Sequence, residues 1–166
     1  MHRPNEIILQ PPAMVHRDFV RELSPETLEE FERIRTRYRV TAGEVLFTRG
    51  EPANRLYELA SGSAKLWVDG PKQEICLLRL ARSGELLGLR EVVTGSNYGL
   101  NATAATPVEF FAIPRKAFLE LLHEHFDAGF SAARMLSNEL NFAHETLRAM
   151  VAAPAASKER RVRVEV

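Results

Sequence analysis

Five histidines and a single cysteine are the side chains of this 166-residue sequence best suited to metal or nucleophilic chemistry, and their placement argues against both. His2, His16, His123, His125 and His144 all lie outside the stretch 37–113. No cluster of imidazoles therefore falls on the strands where a metal-dependent jelly-roll enzyme would carry its ligands. His123 and His125 stand two residues apart on or just after a predicted helix, where such neighbours face different sides, so no metal site is expected. Cys76, alone in Ile75-Cys76-Leu77-Leu78, excludes an internal disulfide and a thiolate cluster and reads as an inert, buried thiol. There is no GxSxG elbow, P-loop, HExxH or dinucleotide glycine fingerprint. No catalytic residue is assigned, and the chain reads as non-enzymatic.

The formal net charge is zero, so no basic field draws the chain onto phosphate backbones or anionic lipid. Lys158, Arg160, Arg161 and Arg163 in the closing SKERRVRVEV are interleaved with glutamates and read as a solvated terminus too short for a helix-turn-helix. Trp67 reads as a strand residue rather than a base-stacking platform, because no basic groove surrounds it. The opening MHRPNEIILQPPAM lacks a signal-peptide core, and no run of about 18 apolar residues occurs. The expectation is a cytoplasmic protein with no direct DNA binding and no membrane contact.

The elements that would position a site follow from composition and periodicity. With 45% hydrophobic and 27% charged residues, the chain can bury one sizeable core. Residues 1–23, with Pro4, Pro11 and Pro12, predict an extended arm. Ser24 as cap, Pro25 at the first helical position and Glu26 in the first turn predict a helix to about Thr36, with Leu28, Phe31 and Ile34 on one face. Eight of the nine glycines then punctuate residues 37–113. That texture predicts short strands at Tyr38–Val40, Val45–Phe47, Leu56–Ala60, Ala64–Val68, Ile75–Leu80, Asn101–Ala104 and Val108–Ile113, with a reversal at Asp69-Gly70-Pro71. Arg115–His123 is helical again and closes a domain spanning 24–126. A long helix is expected over 127–152, capped by Asp127 and stopped before Pro154, with a flexible tail at 153–166. Along it Ala133, Leu136, Leu140, Ala143, Leu147 and Met150 are spaced 3, 4, 3, 4, 3, a heptad seam that calls for a partner helix.

Three segments carry a family resemblance: Ala42-Gly43-Glu44-Val45-Leu46-Phe47 with Arg49-Gly50-Glu51-Pro52; Leu56 to Leu66, reading LYELASGSAKL; and Ser83-Gly84-Glu85-Leu86-Leu87-Gly88. Together with the long helix they resemble the sensor half of the Crp-Fnr transcription regulators, within the cyclic nucleotide-binding domain superfamily, over roughly residues 24–150. The resemblance implies a mainly β fold with flanking helices: a β-roll of the double-stranded β-helix or jelly-roll type, followed by a dimerisation helix paired in parallel. It also implies a phosphate-binding cassette after Ser83, in which helix amides face an anion, a glutamate accepts from the ribose and an arginine neutralises the cyclic phosphate.

Here the sequence departs from that pattern. Leu89 follows Gly88 where the glutamate belongs, and Tyr98 falls where the arginine belongs. Neither can supply the missing chemistry, so no cofactor is assigned and cyclic nucleotide binding is not carried over. The candidate ligand-binding residues are Gly88, Leu89, Arg90, Glu91, Tyr98 and Gly99, with Arg90 and Glu91 offering alternative charges. By the same resemblance Ala143 and His144 lie where relatives touch the ligand across the dimer. The expected function is signal sensing through a degenerate pocket and a homodimer helix, with an unidentified small-molecule effector. Alternatives are a cyclic nucleotide-binding protein with a non-standard cradle, an interaction protein that pairs with a full-length Crp-Fnr regulator, and a small jelly-roll enzyme.

Overall fold

The computed structural model describes residues 16–152; the proline-rich opening and the basic tail at 153–166 lie outside the described residues. Two short helices, α1 (His16–Val20) and α2 (Pro25–Arg33), lead into β1 (Thr36–Val40), β2 (Val45–Phe47), β3 (Arg55–Ser61), β4 (Ser63–Asp69), β5 (Ile75–Arg82) and β6 (Leu86–Leu87). Then come α3 (Leu89–Thr94), β7 (Asn101–Ala104), β8 (Val108–Pro114), α4 (Arg115–Glu124) and α5 (Phe126–Ala152). The strands form two antiparallel four-stranded sheets, in the orders β1-β8-β3-β6 and β2-β7-β4-β5. Because β3 and β4 are consecutive yet belong to different sheets, and β7 and β8 likewise, the chain winds as a double layer. All seven predicted strands are present.

The inward faces supply one core, with Phe47, Leu59, Leu66, Val108 and Phe110 buried between the sheets, while Leu56 and Ile113 are buried on the opposite, helix-facing side of the first sheet. On β3 and β8 the register sets Leu59 opposite Phe110 on the inward face and Leu56 opposite Ile113 on the outward one. A second aromatic knot fastens the helices to the roll. Phe19, Phe31 and Phe118 are fully buried, with ring centroids 5.1 Å (Phe19–Phe31), 5.6 Å (Phe19–Phe118) and 6.5 Å (Phe31–Phe118) apart.

Local expectations give way in five places. Ser24 does cap α2, accepting from the Thr27 amide at 3.2 Å, but the helix ends at Arg33 rather than Thr36. Arg35 leaves it to pair with Glu58 at 2.6 Å and lies over the Phe111 ring at 4.1 Å, while Thr36 joins the ladder opposite Ala112. Part of the segment expected as an extended arm is helical: α1 forms because Phe19 fills the aromatic knot and its carbonyl accepts from the Ser131 hydroxyl at 2.7 Å. The two-residue strand β6 was not foreseen. The long helix begins at Phe126, so Asp127 sits inside its first turn. Asp127 accepts from the Ser24 amide at 2.7 Å, the Thr27 hydroxyl at 3.1 Å and the Ala128 amide at 2.9 Å, stapling α5 to α2. Finally, Cys76 is half-buried rather than buried, because β5 is a sheet edge where its neighbours Ile75 and Leu77 are exposed.

Among the described residues no helix is long and apolar enough to cross a membrane.

Candidate functional site

The turn Leu87-Gly88-Leu89 creates the site. Gly88 takes φ of 86°, a left-handed conformation open to glycine, and a Cβ there would meet Tyr98 Cε1 at 3.0 Å. The chain then enters α3, whose first residue Leu89 turns into the core and is 1% exposed. Tyr98 lies on the far side of this short helix. Its ring stacks on Phe47 at 4.2 Å between centroids, and its hydroxyl donates to the Arg55 carbonyl at 2.6 Å. Burial, with the negative charge of Glu91 and the neighbouring Tyr57 assisting, pushes the phenol above its ordinary range, so it stays neutral.

Between α3, the inner face of the second sheet and α5 lies a cavity of about 180 Å³. Gly88, Leu89, Arg90, Glu91, Tyr98 and Gly99 all line it. Sequence reasoning missed the rest of the wall: Phe47, Leu66, Leu78, Leu86, Leu87 and Leu100 supply apolar surface, and Arg79 and Glu139 supply charge. Strand alternation could have pointed Leu66 and Leu78 inward. Nothing local marks Glu139, which arrives from a helix 48 positions beyond Glu91 in sequence.

Both cations in the wall are already engaged. Arg79 pairs with buried Glu85 at 2.5 Å, and Glu85 also accepts from the Arg82 amide at 2.9 Å. Arg90 pairs with Glu91 at 2.6 Å and reaches Glu139 on α5 at 3.8 Å. Burial works against the Arg90 cation, but the hydrogen bond and charge of Glu91, with Glu139 behind it, hold the guanidinium above its ordinary range. Arg115 at the start of α4 donates to the Val92 carbonyl at 2.9 Å, so α3 is tied to both helices that follow the roll.

The remaining candidates lie on α5. Its buried residues, Ala128, Ser131, Ala132 and Met135, all fall in the first half of the helix. Of the predicted seam, Ala133, Leu140, Ala143, Leu147 and Met150 are exposed, whereas Leu136 packs partly against the chain's own core. His144 is exposed and does not line the cavity. It belongs instead to an outward stripe, Phe126, Phe130, Ala133, Ser137, Leu140, His144, Leu147 and Val151, spaced 4, 3, 4, 3, 4, 3, 4, in which every member is exposed. Phe126 and Phe130 stack on each other at 5.9 Å.

Two interlocked antiparallel sheets, a short helix behind a left-handed glycine and a long trailing helix define a β-roll. The cyclic nucleotide-binding domain model matches residues 37–125, and the chain belongs to that family. It is 32% identical to the global nitrogen regulator of Synechocystis sp. over 133 residues, covering 79% of this chain and 55% of that protein. The chain thus spans about half the length of the curated relative. The fold is shared with the Thermus thermophilus catabolite activator protein (TM-score 0.74, 23% identity, 81% of this chain and 63% of that one). It is shared too with the sensor domain of the transcriptional regulator DNR from Pseudomonas aeruginosa (TM-score 0.65, 23% identity, 84% and 90%). The chain is therefore a regulatory domain of Crp-Fnr type.

Proposed function

We propose that this chain is a non-enzymatic sensor whose cavity takes a small, largely apolar effector rather than a cyclic nucleotide, and which signals through pairing of α5 with the α5 of a second copy. The observation that carries this reading is Tyr98. Its ring, packed between Phe47 and Gly88, fills the position to which the family resemblance assigns the phosphate arginine, and its hydroxyl is spent on the Arg55 carbonyl. Leu89, buried where a ribose acceptor would stand, offers no hydrogen bond. These residues do not fit a cyclic nucleotide.

The cavity's charges point the same way. Arg79 and Arg90 face glutamates, so an incoming phosphate would have to displace Glu91 or Glu139 from Arg90. The leucine-rich wall suits an apolar body, with Arg90 and Glu139 at the rim for one polar end. An effector there would press on α3, and the Arg115 and Arg90 contacts would pass its effect to α4 and α5 as a population shift.

Pairing is supported by the outward stripe on α5, which runs the length of the helix and leaves Phe126 and Val151 each 85% exposed. The test is a thermal-shift titration with cyclic AMP, cyclic GMP and a panel of small amphiphilic metabolites, repeated on Leu78→Trp, which fills the cavity. The expected result is no response to the cyclic nucleotides and a response to at least one panel member that Leu78→Trp abolishes. A saturable shift with cyclic AMP would overturn the reading and favour a cradle built on Arg90.

A further inference from the structure

Away from the cavity, Glu30 of α2, Glu124 at the end of α4 and His125 at the α4–α5 junction converge. One ligand atom from each lies within 4.8 Å of the others. None of the three lines the cavity. The imidazole is held from both sides: Nε2 is 2.8 Å from Glu30 Oε2, and Nδ1 is 3.1 Å from the Thr27 hydroxyl. That hydroxyl donates its single proton to Asp127 Oδ1 at 3.1 Å, so toward His125 it acts as acceptor and Nδ1 carries the hydrogen. Nε2 is thereby aimed at the two carboxylates, while the other ring N–H is fixed by a hydrogen-bonded chain ending on Asp127. A metal-ligating histidine is oriented in this way.

We propose that Glu30, Glu124 and His125 bind one divalent cation of the zinc class, with water completing a four-coordinate shell. One imidazole and two carboxylates select zinc or a neighbouring transition ion over calcium and magnesium, which take oxygen alone, and over soft monovalent copper, which prefers sulfur. The two carboxylates match the charge of the ion. A simple Glu30–His125 ion pair accounts for two members of the group and leaves the approach of Glu124 unused. His123, two residues away, is exposed and takes no part. The bound ion would clamp α2 to the junction from which α5 departs.

The test uses the whole chain, stripped with a chelator and titrated with zinc chloride by calorimetry and thermal shift, with cobalt(II) as a spectroscopic substitute. The expected result is one ion per chain, a melting point raised by several degrees at saturating zinc, and the visible absorption of four-coordinate cobalt. Glu124→Gln changes an exposed side chain and should leave the apo fold intact while weakening binding at least about tenfold. Thr27→Ala should weaken it through the imidazole's orientation, and His123→Gln should leave it unchanged. Absence of saturable binding, binding that survives Glu124→Gln undiminished, or binding lost with His123→Gln would each overturn the proposal.

Discussion

Arg90 and Glu139 face each other at 3.8 Å across the gap between α3 and α5, joining the helix that floors the cavity to the helix that leaves the domain. The Arg90 side chain is 55% exposed, so the link is a screened one. A double-mutant cycle with Arg90→Met and Glu139→Gln is expected to give a coupling of about 0.2–1 kcal/mol at low salt, falling toward zero in molar salt. Chemical denaturation of the four variants measures it.

Tyr98→Phe removes the donor to the Arg55 carbonyl and keeps the stack on Phe47. The expected loss is about 1–2 kcal/mol, read as a lower urea midpoint with an unchanged slope. An unchanged midpoint would mean that water replaces the phenol.

The outward and inward residues of α5 separate by mutation. Leu140→Glu and Leu147→Glu lie on the outward stripe and should convert a dimer to a folded monomer, seen by sedimentation with the melting point of the roll retained. Leu136→Ala should instead destabilise the monomer itself, because that side chain packs on its own core.

Asp127 sets an acid limit. Burial opposes its charge, but the Ser24 amide, the Thr27 hydroxyl and the Ala128 amide outweigh that and hold the carboxyl below its usual value. A lowered carboxyl pKa in the folded state stabilises at neutral pH, and that contribution disappears as pH falls through the folded value. Asp127→Asn should therefore be less stable than the parent near pH 7, with the difference shrinking along the acid limb of a stability–pH curve.

Phe118→Ala should cost about 3–5 kcal/mol, because the ring is fully buried between Phe19 and Phe31 and its loss leaves a cavity shared by three helices. A thermal melt that also loses the α1 contacts to α5 would show the knot acting as one unit.

The strands were legible because glycine punctuation and alternating apolar residues are local signals, and Ser24-Pro25 announced a helix start for the same reason. The end of α2 was not, since Arg35 is drawn off by Glu58, a residue 23 positions away. Nor was α1, whose five residues are too few to show a period and which is held by Phe19 with Val20 partly buried against the same core. At the site, the sequence placed Gly88 to Gly99 together because they are neighbours in the chain. It could not place Arg79, Glu139 or the convergence of Glu30 on His125, which depend on how separate elements pack.

Burial along α5 ends at Met135, and the helix runs about 26 Å further to Ala152. Mechanically it is a cantilever, rooted in the roll beside Phe19 and Ser131, touched again where Glu139 reaches Arg90, and mostly exposed beyond. A rotation of about 10° at the root would carry the tip through about 4.5 Å, enough to slide one side chain past its opposite number. Because the part beyond Met135 is about twice as long as the buried root, a shift at the root would reach the tip about twofold larger.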